Sequence, residues 1–583
     1  MARYLNNPVR VLFPLLLALV LIVAVACGSA EQPADAPADV AKDAPAAPVA
    51  ESTKAPEPEV MAPSEGKYGQ HVNMWAYADT RDWDPIGSAS LSSVISYSQL
   101  YNQLVQYDTA NLTEVVCDLC AGWEVSNGGQ TFTFKIRDGI KWQDGADLTA
   151  EDVVYGLQRF MNPEISIGRS GLFRNYTLTK EEGGVKLIDP LTVEINLQFP
   201  SAAFLKFLAI DYVKILPKHL DDVDLNQAEN LIASKSGSGP FILQEYQRGN
   251  FYKVTKNPNY FKEGRPYFDS IDHFIIADRS RAIASAKANQ VDMRNSANSY
   301  DKEVVDLPKN TNGEWIVHAL PPTFNVGLMI NVKKEPFSDS RVRRAIYLAL
   351  DRQQINELVM DGTGGATTIF APGMAYSAEE AATWPGLRPK DTPGGQEDLA
   401  EAKRLMAEAG FPDGFETTYD ARQISFYVPL CQVIKEQLKA ALGIDGNIRT
   451  WESAAGYQHY NLARPADAEG DWELACQGEG TTVLDFDGIY GGVYQKGATR
   501  NYTDWTHPLI DDLFERQKVE QDSDKRIALN REASDFLRSF EDNHFITAGW
   551  GGFFWPHHRD VRGLGIGETV QYNFKHEDLW LDR

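Results

Sequence analysis

Four cysteines in the body of the chain (Cys117, Cys120, Cys431, Cys476) and ten histidines are the first residues to weigh for chemistry. Cys117 and Cys120 make a single C-x-x-C. A zinc ribbon needs a second such pair, and the sequence has none. A dithiol redox centre needs a strand–helix–strand setting that the flanking residues do not supply. The histidines give no H-E-x-x-H, and His557-His558 lacks a partner at ligand spacing. There is no G-x-S-x-G, no phosphate-cradling loop and no G-x-G-x-x-G after a strand. A hydrolase with two carboxylates in a cleft remains the competing chemical class. A pure surface adhesin is a third reading, and it would have no cleft at all. Aromatic residues are plentiful at 11%, with 12 Trp and 24 Tyr, and some of them could line a groove and stack on a solute.

The leader decides the compartment. Arg3 and Arg10 form a short positive segment, and Val11 to Ala26 is apolar apart from Pro14. At about 1.5 Å per residue this run reaches roughly 24 Å, short of the ~30 Å hydrocarbon core. Residues 1–26 therefore read as a signal peptide. Ala24-Val25-Ala26 directly before Cys27 resembles a bacterial lipobox, with Ala24 where Leu is usual, so Cys27 is the expected lipidation site. Residues 27–65 hold seven Pro and no aromatic. Such a stretch cannot bury enough apolar area to offset its ordering entropy, and it is expected to be a disordered tether. The formal charge of −25, with no cluster of Lys or Arg, excludes nucleic acid as a partner.

From about residue 66 the pattern is globular. Thr131 to Arg137 alternates strictly and predicts a half-buried strand. Asp138-Gly139 and Asp144-Gly145 are turn pairs around a short second strand, Ile140 to Trp142. Thr149 is a plausible N-cap for a helix carrying Val153, Leu157 and Phe160 on one face. Further helices are expected over Arg341 to Leu350, Glu397 to Ala409, Leu430 to Leu442, Ile510 to Val519 and Asp524 to Phe540. Strands are expected over Phe251 to Thr255, Phe274 to Ala277, Val326 to Asn331, Asn447 to Trp451 and Trp472 to Cys476. This irregular mixture predicts α/β lobes rather than an eight-fold barrel.

Several blocks carry a family likeness. They are Gly122-Trp123-Glu124-Val125-Ser126, the run from Gly129 through Phe132, Phe134 and Trp142 to Gly145, and Leu148-Thr149-Ala150-Glu151-Asp152-Val153-Val154-Tyr155. Gly237-Ser238-Gly239-Pro240-Phe241, Asn257-Pro258-Asn259-Tyr260, Pro336-Phe337-Ser338-Asp339-Ser340-Arg341-Val342-Arg343 and Ala400 to Gly410 follow in order. In this order they resemble the family-5 extracellular solute-binding proteins, the dipeptide, oligopeptide and nickel receptors of bacterial ABC importers.

The resemblance implies a two-lobed periplasmic-binding-protein-like fold of type II. It would have mixed sheets, an extra subdomain and a ligand cleft between the lobes. Lobe I is expected over residues 66–320, lobe II over 321–545, and a return to lobe I over 546–583. The crossovers fall near Leu320 to Asn325 and Phe545 to Gly552. The implied partners are a small solute, the transmembrane subunits of an ABC permease, and the membrane through the lipid anchor. A monomer outside the cytoplasm, without cofactor or metal, is expected.

Matched positions give Tyr77, Asp79, Trp451 and Trp550 as ligand contacts. Peptide receptors of the family often carry Gly-Trp-x-x-Asp, whose Asp pairs with the peptide amine. Gly478-Glu479-Gly480-Thr481-Thr482 stands there instead, and Thr482 occupies the place of that Asp. A hydroxyl lacks the charge-assisted bond, and Glu479 or Asp485 would substitute for it only from a different spacing; Thr482 and Asp485 are therefore added to the expected ligand contacts. An oligopeptide-like ligand is expected, with a neutral oligosaccharide as rival and a nickel or haem ligand left open. Cys117–Cys120 and Cys431–Cys476 are possible disulfides in an oxidising compartment.

Overall fold

In Thr131–Ile136 every second side chain is apolar, and Phe132, Phe134 and Ile136 are buried. The strand pairs with Cys120–Ser126 on one side and Thr192–Asn196 on the other, and Val185–Asp189 completes a four-stranded antiparallel sheet. The helix Ala150–Met161 starts at Thr149 with a reciprocal capping box to Asp152, and it buries Val153, Leu157 and Phe160. The structure, a computed structural model, describes residues 66–583 except 81, 88–89, 110–113, 166–172, 300, 321–323, 366–367, 424–425, 481–482, 484, 497, 499, 541 and 566–573. The leader, Cys27 and the tether lie outside the described residues. Among the described residues no helix is long and apolar enough to cross a membrane.

Two larger sheets carry the rest. The first has the order 298–299, 553–558, 293–294, 70–76, 268–275, 251–256, 241–247, with Trp315–Ala319 also paired to Phe553–His558. The second has five strands in the order 445–451, 416–422, 474–480, 324–330, 545–551. The chain leaves the first sheet after Ala319, builds the second between Phe324 and Gly551, and re-enters the first at Phe553. Phe545–Gly551 thus still belongs to the second sheet. The small sheet shares one continuous apolar cluster with the first large sheet, through residues such as Phe134, Phe204, Val72 and Phe268. The second sheet has its own clusters, one around Leu328, Ile346, Leu430 and Ile546, the other around Phe370, Trp472, Tyr490 and Trp550. The C-terminal segment is tied to the first lobe by buried ion pairs, with Lys575 2.7 Å from Asp118 and Lys262 2.8 Å from Glu577.

The helices expected from periodicity are found as Ser340–Ala349, Pro393–Glu408, Tyr427–Leu442, Pro508–Val519 and Ser523–Ser539. Three strand expectations need correction. Ile140 to Trp142 is no strand, because only Lys141 bridges to Asp147. The strand ending at Ile275 starts at Phe268, where Asp269 and Asp272 hid the apolar alternation. The strand expected from Trp472 runs over Leu474–Gly480, and Trp472 instead donates its Nε1 to the Tyr460 carbonyl at 3.0 Å. Cys117 is bonded to Cys120 and Cys431 to Cys476, with Cα separations of 5.0 and 5.6 Å.

Among the described residues four histidines are at most 3% exposed: His273, His557 and His576 in the first lobe and His544 in the second. Burial depresses them all, His544 and His576 to about 3 and His557 to about 4. Their folded values lie below the unfolded value near 6.5, so the unfolded chain takes up protons first. Stability is full above about pH 6.5 and falls as pH drops toward each folded value, by roughly 1.4 kcal/mol per histidine per pH unit. Guanidinium unfolding is expected to show a lower midpoint at pH 5 than at pH 7, and His557→Asn is expected to lose part of that drop. Equal midpoints would contradict the assignment.

Candidate functional site

In the second sheet three neighbouring strands run parallel and finish at one edge, with Arg422, Trp451 and Gly480 as their last residues. Phe324 opens the antiparallel strand beside them and pairs with both Gly480 and Gly551. This edge is therefore the one at which the chain passes between sheets. In the first sheet Gln70–Ala76 runs parallel to Phe268–Ile275 and to Met293–Arg294. The returning strand is antiparallel to the last of these, with Met293 opposite His557 and Asn298 opposite Phe554. The chain beyond Arg294 thus advances toward the crossover at Phe553. The carboxyl ends of the parallel strands of both sheets converge on the crossovers, the edge at which open α/β sheets hold ligands. Phe324 packs there edge-on against Phe426 at 5.1 Å and Phe553 at 6.0 Å.

The second lobe's edge is built around Asp420. This buried carboxylate accepts from Arg449 Nε at 3.1 Å, Arg449 Nη2 at 2.8 Å and Trp451 Nε1 at 2.5 Å. His459 Nε2 stands 3.5 Å away, and its ring stacks on the Trp451 indole at 4.1 Å. Burial pushes the Asp420 carboxyl up, but His459, Arg449 and Trp451 together outweigh it and hold the group below the usual carboxylate range. Asp420 therefore stays ionised and fixes the orientation of Trp451. Beside it the Arg422 guanidinium lies 3.9 Å over Tyr457 and 5.1 Å over Tyr427. Arg500 covers Tyr457 as well, at 4.6 Å, and donates to its hydroxyl at 2.9 Å. The result is a layer of aromatic rings and guanidinium groups in which Arg422 and Tyr427 are buried and Trp451, Tyr457 and Arg500 are half-buried.

On the first lobe's edge, Tyr77 follows directly on Gln70–Ala76, and the Arg294 guanidinium lies 4.9 Å over its ring. Burial pushes the Tyr77 hydroxyl up to about 12. Asp79 is already engaged: both oxygens accept from Tyr246 at 3.1 Å, and Oδ2 takes the Gly249 amide at 2.7 Å. It holds the hairpin between Phe241–Gln247 and Phe251–Lys256 to the loop after Ala76.

Two expected contacts are corrected. Trp550 is 0% exposed, packs in the second lobe's core and donates its Nε1 to the Thr368 carbonyl at 3.0 Å. Its neighbours Gly549 and Gly551, not its ring, mark the crossover. Asp485 is 2% exposed and caps Phe486–Ile489. Arg526 grips it at 2.5 and 2.9 Å, and Lys206 of the first lobe stands 3.4 Å away. Asp487 alongside accepts from Tyr176 of the first lobe at 2.5 Å and from Arg526 at 3.1 Å. Burial disfavours both charges. The Arg526 guanidinium nevertheless keeps Asp485 below its ordinary range, while burial and the adjacent Asp485 charge raise Asp487. These acids join the lobes and leave no carboxylate oxygen of Asp485 for a solute. Thr482 lies outside the described residues.

The sequence reading passed over Asp420 and Arg422 because Glu416–Arg422 reads ETTYDAR, too polar to register as a strand. It passed over Arg294 because Met293–Arg294 is only two residues long. Among the described residues no group of three or more His, Cys, Asp or Glu side chains could hold a metal ion.

Two lobes, two crossovers and a polar, aromatic edge between them define a bilobal periplasmic binding protein. DppA of Helicobacter pylori in complex with the peptide STSA aligns with a TM-score of 0.70 at 20% identity, over 89% of this chain and 99% of that one. AgaA of A. tumefaciens R10 in complex with agropinic acid aligns at 0.69 and 22%, over 88% and 99%. Residues 114–501 match the bacterial extracellular solute-binding proteins, family 5 middle, and the chain belongs to that family. It is 27% identical over 501 residues to the dipeptide-binding protein of Escherichia coli K12, covering 82% of this chain and 89% of the relative. It is 30% identical over 471 residues to the glutathione-binding protein GsiB of Salmonella paratyphi A, covering 79% and 85%.

Removing the Asp420 carboxylate leaves Arg449 and the Trp451 indole without their shared acceptor. Asp420→Ala is expected to lower stability by roughly 3 kcal/mol, the cost of breaking a buried ion pair from one side. Trp451 emission, read as the difference from a Trp451→Phe background, is expected to shift to the red. An unchanged melting temperature and spectrum would show that Asp420 does not fix the ring.

Proposed function

We propose that this chain is the extracytoplasmic receptor of an ABC importer. It captures a peptide-like solute between its lobes and delivers it unaltered to the permease. The lipid on Cys27 and the tether of residues 27–65 would hold it at the membrane surface. The observation that carries the reading is the convergence of Tyr77, Arg294, Arg422 and Trp451 on the two crossovers, one pair from each lobe. A solute lodged there touches both lobes at once, so its binding energy favours the closed arrangement. A shift from 1:99 to 99:1 requires about 10⁴-fold preference for the closed form, or ~5.5 kcal/mol. Enclosure by rings plus a few fixed polar contacts is the usual source of such energy.

The two curated relatives are named for a dipeptide and for glutathione, itself a short peptide. Their names support a peptide over an oligosaccharide, and so do the guanidinium groups at the site, since a neutral sugar has no charge to balance them. The polar groups at this edge are guanidinium and indole donors with an already paired Asp420. That set is suited to gripping and orienting a solute rather than to acid–base turnover.

Titration of the purified protein with di- and tripeptides, glutathione and oligosaccharides is expected to give one saturable change in Trp fluorescence with the peptides. Melting temperature is expected to rise with peptide concentration, and no product is expected by chromatography after prolonged incubation. Saturable binding of oligosaccharides alone would overturn the peptide assignment. Hydrolysis of a bound peptide would overturn the receptor mechanism.

A further inference from the structure

Buried arginines other than Arg294 donate to acceptors from part of the guanidinium, even where one nitrogen, such as Arg343 Nε or Arg352 Nη2, is buried without a partner. Arg343 donates to the Phe337 and Ser338 carbonyls at 2.8 Å and to Asp542 at 2.9 Å. Arg352 reaches the Thr547 carbonyl at 3.0 Å and the Tyr347 carbonyl at 3.1 Å. Arg526 is gripped by Asp485 and Asp487. Arg294 departs from this pattern. It is 3% exposed, yet its Nε and Nη1 are sealed from solvent and have no hydrogen-bond partner among the described residues.

Its surroundings are rings rather than anions. Tyr77 lies 4.9 Å from the guanidinium and Trp75 5.7 Å. The carboxylate whose field reaches it, Asp301, is committed to Arg279 and to the Val304 amide at 3.2 Å. Burial accordingly pulls the guanidinium down to about 10 against the opposing pull of Tyr77 and Asp301. The next two residues repeat the deficit, since Asn295 Oδ1 and Ser296 Oγ are also buried without partners among the described residues. A buried cation without an acceptor is expensive and is seldom kept for packing alone. The cluster lies at the carboxyl end of Met293–Arg294, where the chain advances toward the crossover.

We propose that Arg294 is the anion-reading residue of this receptor and that it takes a carboxylate of the solute. The proposal rests on the receptor reading above and narrows its ligand to an acid. A guanidinium offers two parallel N–H groups that match the two oxygens of a carboxylate. One guanidinium flanked by rings balances a single negative charge, which suits a carboxylate better than a phosphate dianion. The stacked Tyr77 ring holds the guanidinium plane so that the fork is set before the solute arrives.

The test uses wild type and Arg294→Met, each unfolded and refolded to strip co-purified solute. Thermal shift and calorimetry are run with trialanine, trialanine amide, glutathione, succinate and acetamide. Met fills a similar volume beside the two rings without a charge. Ligand-free Arg294→Met is therefore expected to melt at or above the wild-type temperature, as relief of an orphan charge requires. Wild type is expected to bind the carboxylate-bearing probes and to lose affinity for trialanine amide by at least about tenfold. Arg294→Met is expected to bind acid and amide alike, at the weaker level.

A preference for the acid that persists in Arg294→Met overturns the proposal, as does equal binding of acid and amide by wild type. If no peptide binds but succinate does, and only with Arg294 present, the peptide reading falls and the carboxylate site stands. If no carboxylate probe binds wild type, the Arg294 assignment is wrong. Should Arg294→Met fail to fold, Arg294→Lys replaces it. That variant keeps the charge without the fork, and it is expected to weaken acid binding while leaving amide binding unchanged.

Discussion

The strand Phe324–Ile330 is hydrogen-bonded along both edges, to Leu474–Gly480 and to Phe545–Gly551. Because the chain enters the second sheet on this strand and leaves it on its neighbour, the two crossovers lie side by side at Phe324 and Gly551. Adjacent crossovers confine the joint between the lobes to one edge of each sheet. The antiparallel sense then settles which ends of the other strands point at the joint. The parallel trio 416–422, 445–451 and 474–480 must finish there, and so must the pair 70–76 and 293–294 in the other sheet. The joint is thus a product of strand direction before any side chain is considered. Close packing at the joint enforces it: a Cβ on Gly478 would meet the Phe324 ring at 2.4 Å, and one on Gly327 would meet the Ile546 carbonyl at 2.3 Å.

The treatment of buried charge separates scaffold from site. Asp118, Lys262, Lys575 and Glu577 neutralise one another in the first lobe, and Asp485 and Asp487 are met by Arg526 and by Lys206 at the lobe junction. Asp420 is satisfied by Arg449 and Trp451, and its cost goes into fixing an aromatic ring at the joint. Such closed networks keep their charges through mutual attraction and full hydrogen bonding, which is the condition for burying ions at all. An open valence at Arg294, in the same interior, is a different kind of object.

How much could be read beforehand depended on the strength of local pattern. Thr131–Ile136 alternates without exception, and the helix after Thr149 carries its own cap, so both were legible. The blocks from Gly122 to Tyr155 and from Pro336 to Arg343 were enough to place the chain in its family. Trp451 was named from its matched position in the family, and the strand it terminates, Asp445–Trp451, was legible from its pattern. The Gly-rich flanks of Trp550 mark the crossover, while its ring turns the other way, into a core that only tertiary packing defines. Asp485 looked like a spare acid because Arg526 lies far along the chain and Lys206 belongs to the other lobe. Asp420, Arg422 and Arg294 were invisible for a common reason: a strand buried at its end by neighbouring loops needs no apolar alternation, so polar residues there give no periodic signal.

The contacts that link the lobes away from the crossovers are mostly polar. Lys206 meets Asp485, Tyr176 meets Asp487, and the Lys518 ammonium lies 4.3 Å over Phe199. Val483 adds an apolar contact, packed within the first lobe's cluster. Polar contacts of this kind exchange with water at small net cost, since a hydrogen bond lost to the partner lobe is regained from solvent. The apolar cores within each lobe have no such alternative and behave as rigid units. A rearrangement of the lobes therefore works against a shallow balance at the joint rather than against the stability of either lobe. On the receptor reading proposed above, a few fixed groups at the strand ends, Trp451 on Asp420 and Arg294 on Tyr77, would suffice to decide it, because binding energy would be spent on choosing between two arrangements of parts that are already formed.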